Sequence, residues 1–113
     1  MKKVTLTCAH AIVKYLISQK ILIDGKKQPL FPGVFGIFGH GNVACLGQAL
    51  EENQKDLPTY RGHHEQNMAL TGIGYARAKR RQQIFVATSS VGPGATNMVT
   101  AAAVAMSNRL PIL

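Results

Sequence analysis

The amino-acid sequence predicts an α/β fold in which a parallel sheet is covered by helices on both faces, in three layers. From residue 34 onward, short apolar runs alternate with longer segments of helical periodicity, in the order β-α-β-α-β-α. The first run, residues 34–38, is apolar throughout and bounded by glycines, which is typical of a strand buried on both faces of a parallel sheet. Parallel strands require crossover connections, so helices are expected on both sides of the sheet.

A helix and an insertion are predicted before the sheet. Thr7 is suited to cap a helix that runs to about Gln19, because apolar residues recur along it every three or four positions, at Ala9, Ile12, Val13, Leu16 and Ile17. The stretch at about residues 22–33 breaks this pattern with Asp24-Gly25 and two prolines, which predicts a turn or short hairpin followed by a loop. We expect this stretch to be an insertion before the first core strand.

The later elements follow from the same alternation of patterns. They are a helix ending at about residue 52, a strand at 57–60, a helix at 65–80, a strand at 84–88, a helix at 95–108 and the opening of a fourth strand at 110–113. The last helix is apolar on nearly all sides, so we expect a neighbouring domain or subunit to cover it. The incomplete fourth strand predicts that this chain is the front part of a longer protein.

Composition narrows the class of protein. With 46% hydrophobic and 16% charged residues over 113 positions, the chain suits one globular domain. The net charge of +8 invites a nucleic-acid interpretation, but the one dense basic run, at 77–81, ends a predicted helix, where cations complement the helix dipole. We therefore expect no nucleic-acid partner. Cys8 and Cys45 have no partners at metal-ligand spacing, so the sequence predicts no metal site and suits a reducing compartment.

Membrane association is not expected either. No apolar run is long enough to span a bilayer. The initial Met-Lys-Lys is not followed by the apolar stretch and small-residue cleavage site of a signal peptide. The sequence predicts a cytoplasmic protein.

The segment Arg61-Gly62-His63-His64-Glu65 lies between the second strand and the second helix. A glutamate there would lie at the edge of the sheet where open α/β folds bind ligands, which makes Glu65 a candidate proton-transfer group. The helix dipole alone also favours an acid in a first turn, so both interpretations stay open. Adjacent histidines in a strand point to opposite faces, so at most one of His63 and His64 should face the site, and metal ligation by either is not expected.

Two glycine-containing loops follow the other strands. Gly39-His40-Gly41-Asn42-Val43-Ala44 has the G-x-G-x-x-A form of a dinucleotide-binding loop, and Arg61 would then favour NADP, although a plain tight turn is the commoner interpretation. Gly92-Pro93-Gly94-Ala95-Thr96-Asn97 could hold its backbone close against a flat ring. It could equally be a rigid connector whose Thr96 or Asn97 serves the helix start.

Taken together, the segment from His64 to Arg77 and the loop at 92–97 resemble the pyrimidine-binding domain of thiamine-diphosphate-dependent enzymes, the acetolactate synthase and pyruvate oxidase group. The resemblance covers essentially the whole chain. It implies that residues 1–113 are the N-terminal part of such a domain, with an insert at about 22–33 and with the middle and diphosphate-binding domains absent. The insert and residues 34–42 look like those of the family's hydrolases that cleave a C–C bond of a cyclic trihydroxy-dione in myo-inositol degradation.

Alternatives to this hydrolase are an acetolactate-synthase-like carboligase or decarboxylase, and an NADP-binding Rossmann domain. The family resemblance implies that Glu65 hydrogen-bonds N1′ of the cofactor's aminopyrimidine ring. It also implies cofactor-binding positions in the 92–97 loop and substrate-side positions at the other strand ends. The cofactor-binding candidates are Glu65, Gly92, Pro93, Gly94 and Asn97, and the substrate-side candidates are His40, Gly41, Asn42 and His64.

The resemblance also implies what lies outside the chain. The family's Gly-Asp-Gly segment and following Asn, which hold Mg²⁺ and the diphosphate, do not occur in these 113 residues. We therefore expect Mg²⁺ ligands elsewhere, a homo-oligomer with its site at a subunit interface, and no activity from this chain alone. Burial in such a site would favour a Glu65 carboxyl that shares a proton over a fully ionised one.

Overall fold

The computed structural model describes residues 3–113. The helices are α1 (Cys8–Ser18), α2 (Gln48–Glu51), α3 (Glu65–Ala78), α4 (Pro93–Thr96) and α5 (Val99–Asn108). The strands are β1 (Lys20–Ile23), β2 (Lys26–Pro29), β3 (Val34–Gly36), β4 (Thr59–Arg61) and β5 (Val86–Thr88). Met1 and Lys2, the first residues of the segment that does not resemble a signal peptide, lie outside the described residues. Among residues 3–113, none of the helices has both the length and the apolar character needed to span a bilayer.

Strands β3, β4 and β5 form a parallel sheet in the order β4-β3-β5, with Val34 opposite Thr59 on one side and Val86 on the other. The predicted α/β class with a parallel sheet is thus confirmed. Strands β1 and β2 form a separate antiparallel hairpin, as one of the two sequence interpretations proposed. Its turn needs two residues with positive φ, and Asp24 (49°) and Gly25 (75°) supply them.

The two faces of the sheet pack against different helices, because successive residues of a strand point to opposite sides. Val34 is buried in a core cluster with residues of α1 and α2, among them Val13 and Leu50. Its neighbour Phe35 stacks on Phe85 with ring centroids 4.6 Å apart, and Tyr75 of α3 meets Phe85 edge-on. The sheet therefore lies between α1 and α2 on one face and α3 on the other, which gives the expected three layers.

Helix α5 packs mainly against α3. Only Ala101 and Ala105 of this helix are buried, in a second core cluster with Ala69 and Ile73 of α3. Its other apolar residues face outward, and Met106 is 84% exposed. Helix α5 is thus apolar on more sides than α3 covers, as the sequence pattern predicts. That a neighbouring domain or subunit covers the rest stays a prediction.

Residues 110–113 are not a strand in the structure, in contrast to the sequence expectation. Leu113 nevertheless bonds to β5 and its flank in the manner of a parallel neighbour. Its N–H donates to the carbonyl of Phe85 (3.3 Å) and its carbonyl accepts from the N–H of Ala87 (2.8 Å). One residue with this pairing marks the position of a fourth strand beside β5 without forming a ladder.

Two predicted helices begin differently from the sequence pattern. The segment Val43–Gly47 is π-helical, since the N–H of Gly47 bonds five residues back to the carbonyl of Asn42 (2.7 Å). The helix predicted at 95–108 starts earlier, as α4, and is interrupted before α5. There the Thr96 hydroxyl donates to the carbonyl of Pro93 (2.8 Å), and such local bonds compete with regular helix bonding.

A polar contact that the sequence did not predict joins α1 to the end of α2. Thr7 caps α1 as expected, its hydroxyl accepting from the N–H of His10. The imidazole of His10 then lies between two partners, with Nδ1 2.7 Å from the Thr7 hydroxyl and Nε2 2.8 Å from Glu52 Oε2. Hydrogen bonds from His10 and Gln48 lower the pKa of Glu52 below its ordinary value of 4.5.

Replacing Leu50 with alanine tests the first core cluster. Leu50 is 2% exposed, so Leu50→Ala should reduce the free energy of unfolding by about 2–5 kcal/mol through lost burial and a residual cavity. Leu22→Ala is the control, because Leu22 on the hairpin is 71% exposed and its loss should change stability by no more than about 0.5 kcal/mol. Urea unfolding followed by circular dichroism measures both, and equal losses would contradict this assignment of the core.

The pH dependence of stability tests the contact between His10 and Glu52. Because folding lowers the pKa of Glu52, its carboxylate stabilises the fold above pH 4.5, and this contribution is lost as pH falls through the lower, folded-state pKa. Glu52→Gln should therefore be less stable than the unmodified chain above pH 4.5, with a difference that shrinks on acidification. Glu51→Gln, at the neighbouring exposed position, is the matched control, and urea unfolding at a series of pH values is the measurement.

Candidate functional site

The carboxyl ends of the three parallel strands lie at one edge of the sheet. Gly36, the last residue of β3, is in register with Arg61 of β4 and with Thr88 of β5. The segments that follow the strands therefore start side by side, at the edge where open α/β sheets bind ligands. All of the residues singled out from the sequence belong to these three segments.

Glu65 begins α3 at this edge. His64 before it is extended (φ −153°, ψ 131°), and the chain turns into the helix at the glutamate. The side chain is 8% exposed, which is unusual for a carboxylate without a partner. Its Oε2 atom accepts a hydrogen bond of 3.0 Å from the Nδ2 amide of Asn97. The segment after β4 and the segment after β5 are thus joined through one carboxylate.

Gly94 lies against the other carboxylate oxygen. A Cβ atom placed on Gly94 would be 2.8 Å from Glu65 Oε1 and would overlap the hydroxyl of Ser90. Only glycine lets the backbone approach Glu65 this closely. Gly92 meets a different need, since its φ of 64° lies in the left-handed region, and Pro93 then starts α4.

The pKa of the Glu65 carboxyl lies below its ordinary value of 4.5, opposite to the direction expected from burial alone. The hydrogen bond from Asn97 is the main cause, followed by a bond from the backbone N–H of Glu65. Burial raises the pKa but is outweighed, and the charge of His64 lowers it further. Burial disfavours the charged carboxylate, whereas hydrogen bonds made to the charged form favour it and lower the pKa.

Ser90 was not selected as a site residue from the sequence, although the structure places it beside the carboxylate. Its hydroxyl and the Oε1 atom of Glu65 both lie against the same face of Gly94. A serine in a loop carries no periodic signal. Its position two residues before the Gly-Pro-Gly turn was the only feature that could have drawn attention to it.

The loop after β3 packs against the loop after β5. The side-chain amide of Asn42 donates to the carbonyl of Ser89 (3.4 Å), and a Cβ on Gly39 would be 2.6 Å from Ser90 Cβ. Of the proposed substrate-side residues here, Asn42 therefore links the two loops. His40 and Gly41 instead line a cleft of about 440 Å³ together with Phe38, Gly39, Val43 and Ala44.

Several backbone N–H groups of this β3 loop are already bonded within the loop. The N–H groups of Val43 and Cys45 bond to the carbonyls of Gly39 and Gly41, at 3.3 and 3.1 Å. Gly47 bonds back to Asn42 in the same way. A phosphate needs unbonded N–H groups at the start of a helix, so the N–H groups of Val43, Cys45 and Gly47 are not available to one.

His63 and His64 both line one cleft of about 210 Å³ beside β4, together with Phe35, Arg61, Gly62, Asn67, Met68 and Thr71. Both line this cleft because β4 ends at Arg61 and the two histidines do not alternate as strand residues. That at most one of them faces the site at Glu65 stays a prediction. His64 and His40 line different clefts, so the structure does not bring them together. Within residues 3–113, no three His, Cys, Asp or Glu side chains are arranged to hold a metal ion.

Comparison with known proteins decides the family. Residues 7–113 match the family described as thiamine pyrophosphate enzyme, N-terminal TPP binding domain. The chain belongs to this family. The match covers all three strand ends described above, including Glu65 and the 92–97 loop, and it confirms the resemblance noted from the sequence.

Curated relatives share half or more of the residues of this thiamine pyrophosphate enzyme domain. The chain is 54% identical to 3D-(3,5/4)-trihydroxycyclohexane-1,2-dione hydrolase of Geobacillus thermodenitrificans (strain NG80-2). It is 50% identical to the hydrolases of the same name of Bacillus thuringiensis (strain Al Hakam) and Clostridium tetani (strain Massachusetts / E88). Each match covers 100% of this chain but only 18% of the relative, so the chain spans less than a fifth of their length.

Adding a methyl group at Gly94 tests the close approach to Glu65. Gly94→Ala should reduce the free energy of unfolding by about 1–3 kcal/mol, because the new Cβ meets Glu65 Oε1 at 2.8 Å in a buried position. Gly74→Ala is the control, since a Cβ there has no neighbour within 4 Å and alanine should stabilise α3 by about 0.5–1 kcal/mol. Urea unfolding compares the two, and a neutral Gly94→Ala would show that the backbone does not need to approach the carboxylate.

Proposed function

We propose that this chain is the N-terminal part of the pyrimidine-binding domain of a thiamine-diphosphate-dependent hydrolase that cleaves a C–C bond of a cyclic trihydroxy-dione. The observation that carries the proposal is the buried Glu65 carboxylate, held by Asn97 at the ligand-binding edge of the sheet. The names of the 54% and 50% identical relatives support a hydrolase of this substrate class over a carboligase or decarboxylase.

The described residues fit an aminopyrimidine ring. Gly94 lets the 92–97 loop lie against the carboxylate, because the Cβ of any other residue there would be 2.8 Å from Glu65 Oε1. The Glu65 carboxylate can accept a hydrogen bond from a protonated ring nitrogen, or take up its proton. The residues proposed to hold the ring are Glu65, Gly92, Pro93 and Gly94, with Asn97 next to them.

Thiamine diphosphate, when bound, supplies the carbanion chemistry that breaks the C–C bond. In the proposed mechanism, Glu65 accepts or returns a proton at Oε1, since Oε2 already accepts from Asn97. A carboxylate with a lowered pKa is ionised at neutral pH and is therefore ready to accept a proton. The glycine-lined backbone around it excludes water from one side of this oxygen.

The substrate is proposed to enter from the side of the β3 loop. His40 is exposed and lines the cleft after β3 with Gly41, so its imidazole can hydrogen-bond a polyol hydroxyl. His64 lines the cleft after β4 and is proposed as a second residue that contacts the substrate. Asn42 contributes by holding the β3 loop against Ser89.

The remaining parts of the enzyme are proposed to lie outside these residues. They comprise the middle domain, the diphosphate-binding domain and the ligands of Mg²⁺. From the family to which the chain belongs, we also propose a homo-oligomer in the cytoplasm with its site between subunits. The outward apolar face of α5, with Met106 84% exposed, supports further covering by other protein surface.

Replacing Glu65 in the full-length protein tests the proposed function. Glu65→Gln keeps the shape of the side chain but removes its ability to take a proton, so turnover of the cyclic trihydroxy-dione should fall by about 10²–10⁴-fold. Hydrogen–deuterium exchange at C2 of bound thiamine diphosphate, followed by NMR, should slow in parallel. Glu51→Gln is the matched control and should leave both rates unchanged.

The substrate class is tested separately with the same preparations. Release of an open-chain acid from the cyclic dione, with little condensation of 2-oxo acids, is the expected result. Wild-type rates of C2 exchange in Glu65→Gln would refute the role of Glu65. Efficient carboligation without hydrolysis would instead refute the substrate assignment.

A further inference from the structure

We propose that Asn97 is a positioning residue for Glu65. The side-chain amide of Asn97 donates to Oε2 of the Glu65 carboxylate, which leaves Oε1 as the oxygen that exchanges protons. The catalytic meaning of this role rests on the proposed function. The contact itself does not, because it lies entirely between two residues of this chain.

The position of the amide is set by its own loop. Asn97 follows α4, where the N–H of Thr96 bonds to the carbonyl of Gly92 (3.0 Å) and the N–H of Asn97 bonds to the carbonyl of Pro93 (3.2 Å). These bonds hold the backbone from which the Asn97 side chain reaches Glu65, 32 residues away in sequence. The amide is therefore presented by a fixed turn and not by a long, mobile side chain.

The chemistry of the amide determines what the contact does. The NH₂ group of Asn97 only donates, so it binds a carboxylate oxygen through a lone pair and disfavours a proton there. On the opposite side, Oε1 faces the bare backbone of Gly94 and the neighbourhood of the Ser90 hydroxyl. The two oxygens thus have different surroundings, and protonation is directed to Oε1.

The other groups close to Glu65 act on it in different ways. His64 affects the carboxylate through its charge, and the backbone N–H of Glu65 bonds it from within its own residue. Ser90 can both donate and accept, so its hydroxyl tolerates either protonation state. Asn97 is the side chain among these that favours one oxygen and one charge state.

This role differs from the direct cofactor contact expected of Asn97 from the sequence. If Asn97 served only as a cofactor ligand, its loss would change Glu65 only when the cofactor is bound. If Asn97 positions Glu65, its loss changes the titration of the carboxyl in the cofactor-free chain. The two roles therefore predict different results in the absence of cofactor.

Carbon-13 NMR of side-chain carboxyls provides the test. The 113-residue chain contains only three glutamates, Glu51, Glu52 and Glu65, so labelled glutamate gives three carboxyl signals, and Glu65→Gln identifies the third. We expect Asn97→Ala to raise the pKa of Glu65. Asn97→Asp should raise it further, because two carboxylates about 3 Å apart cannot both ionise readily.

Two further variants separate positioning from loosening of the loop. Thr96→Val removes hydroxyl bonds to the carbonyls of Gly92 and Pro93 but does not touch Glu65, so it should leave the Glu65 titration unchanged. Asn97→Ser retains a donor on a shorter side chain and should give a titration between those of the unmodified chain and Asn97→Ala. Dispersed amide spectra confirm that each variant is folded.

Three results would overturn the proposal. They are an unchanged Glu65 titration in Asn97→Ala, an equal shift in Thr96→Val, or unfolding of both Asn97→Ala and Asn97→Ser while Thr96→Val stays folded. The proposed function fails by a different route. If the titrations shift as expected but Glu65→Gln keeps wild-type C2 exchange in the full-length protein, the positioning role stands and the catalytic one does not.

Discussion

Parallel pairing of β4 and β5 on the two sides of β3 is the constraint on which the site depends. Neighbouring strands are about 4.8 Å apart, so the ends of β4 and β5 are separated by about 10 Å across the end of β3. The segments after the outer strands can meet only if the segment after β3 leaves room. Gly39 has no side chain where Ser90 approaches, and the Asn42 amide then bonds to the Ser89 carbonyl. The contact between Glu65 and Asn97 is possible because the loop after β3 has no side chain at Gly39, where Ser90 approaches.

Much of this arrangement follows from local sequence patterns. The apolar run beginning at Val34 and the helical periodicity after it are enough to predict the order of the elements, because each pattern reports which side of an element is buried. Parallel strands then require Glu65 and the 92–97 loop to share an edge. The hairpin is likewise readable from Asp24-Gly25, since few residue pairs accept two positive φ angles.

The side-chain contacts that the sequence did not predict depend on segments that are distant in the chain. No periodic pattern indicates that Asn97 bonds to Glu65, that Ser90 lies beside both, or that His10 reaches Glu52. The lowered pKa of Glu65 is likewise not predictable from the sequence, because its main cause is a hydrogen bond from Asn97, 32 residues away.

The pairing of Leu113 with β5 has a consequence for how the sheet meets other proteins. On the outer side of β5, Leu113 occupies the N–H of Ala87 and the carbonyl of Phe85, whereas the outer side of β4 pairs with no strand among residues 3–113. Strand β4 is only three residues long, ends in the exposed, charged Arg61 and is followed by glycine. Short, charged edges are poor templates for an incoming strand. The β4 edge of the sheet is therefore unfavourable for intermolecular β-pairing and aggregation.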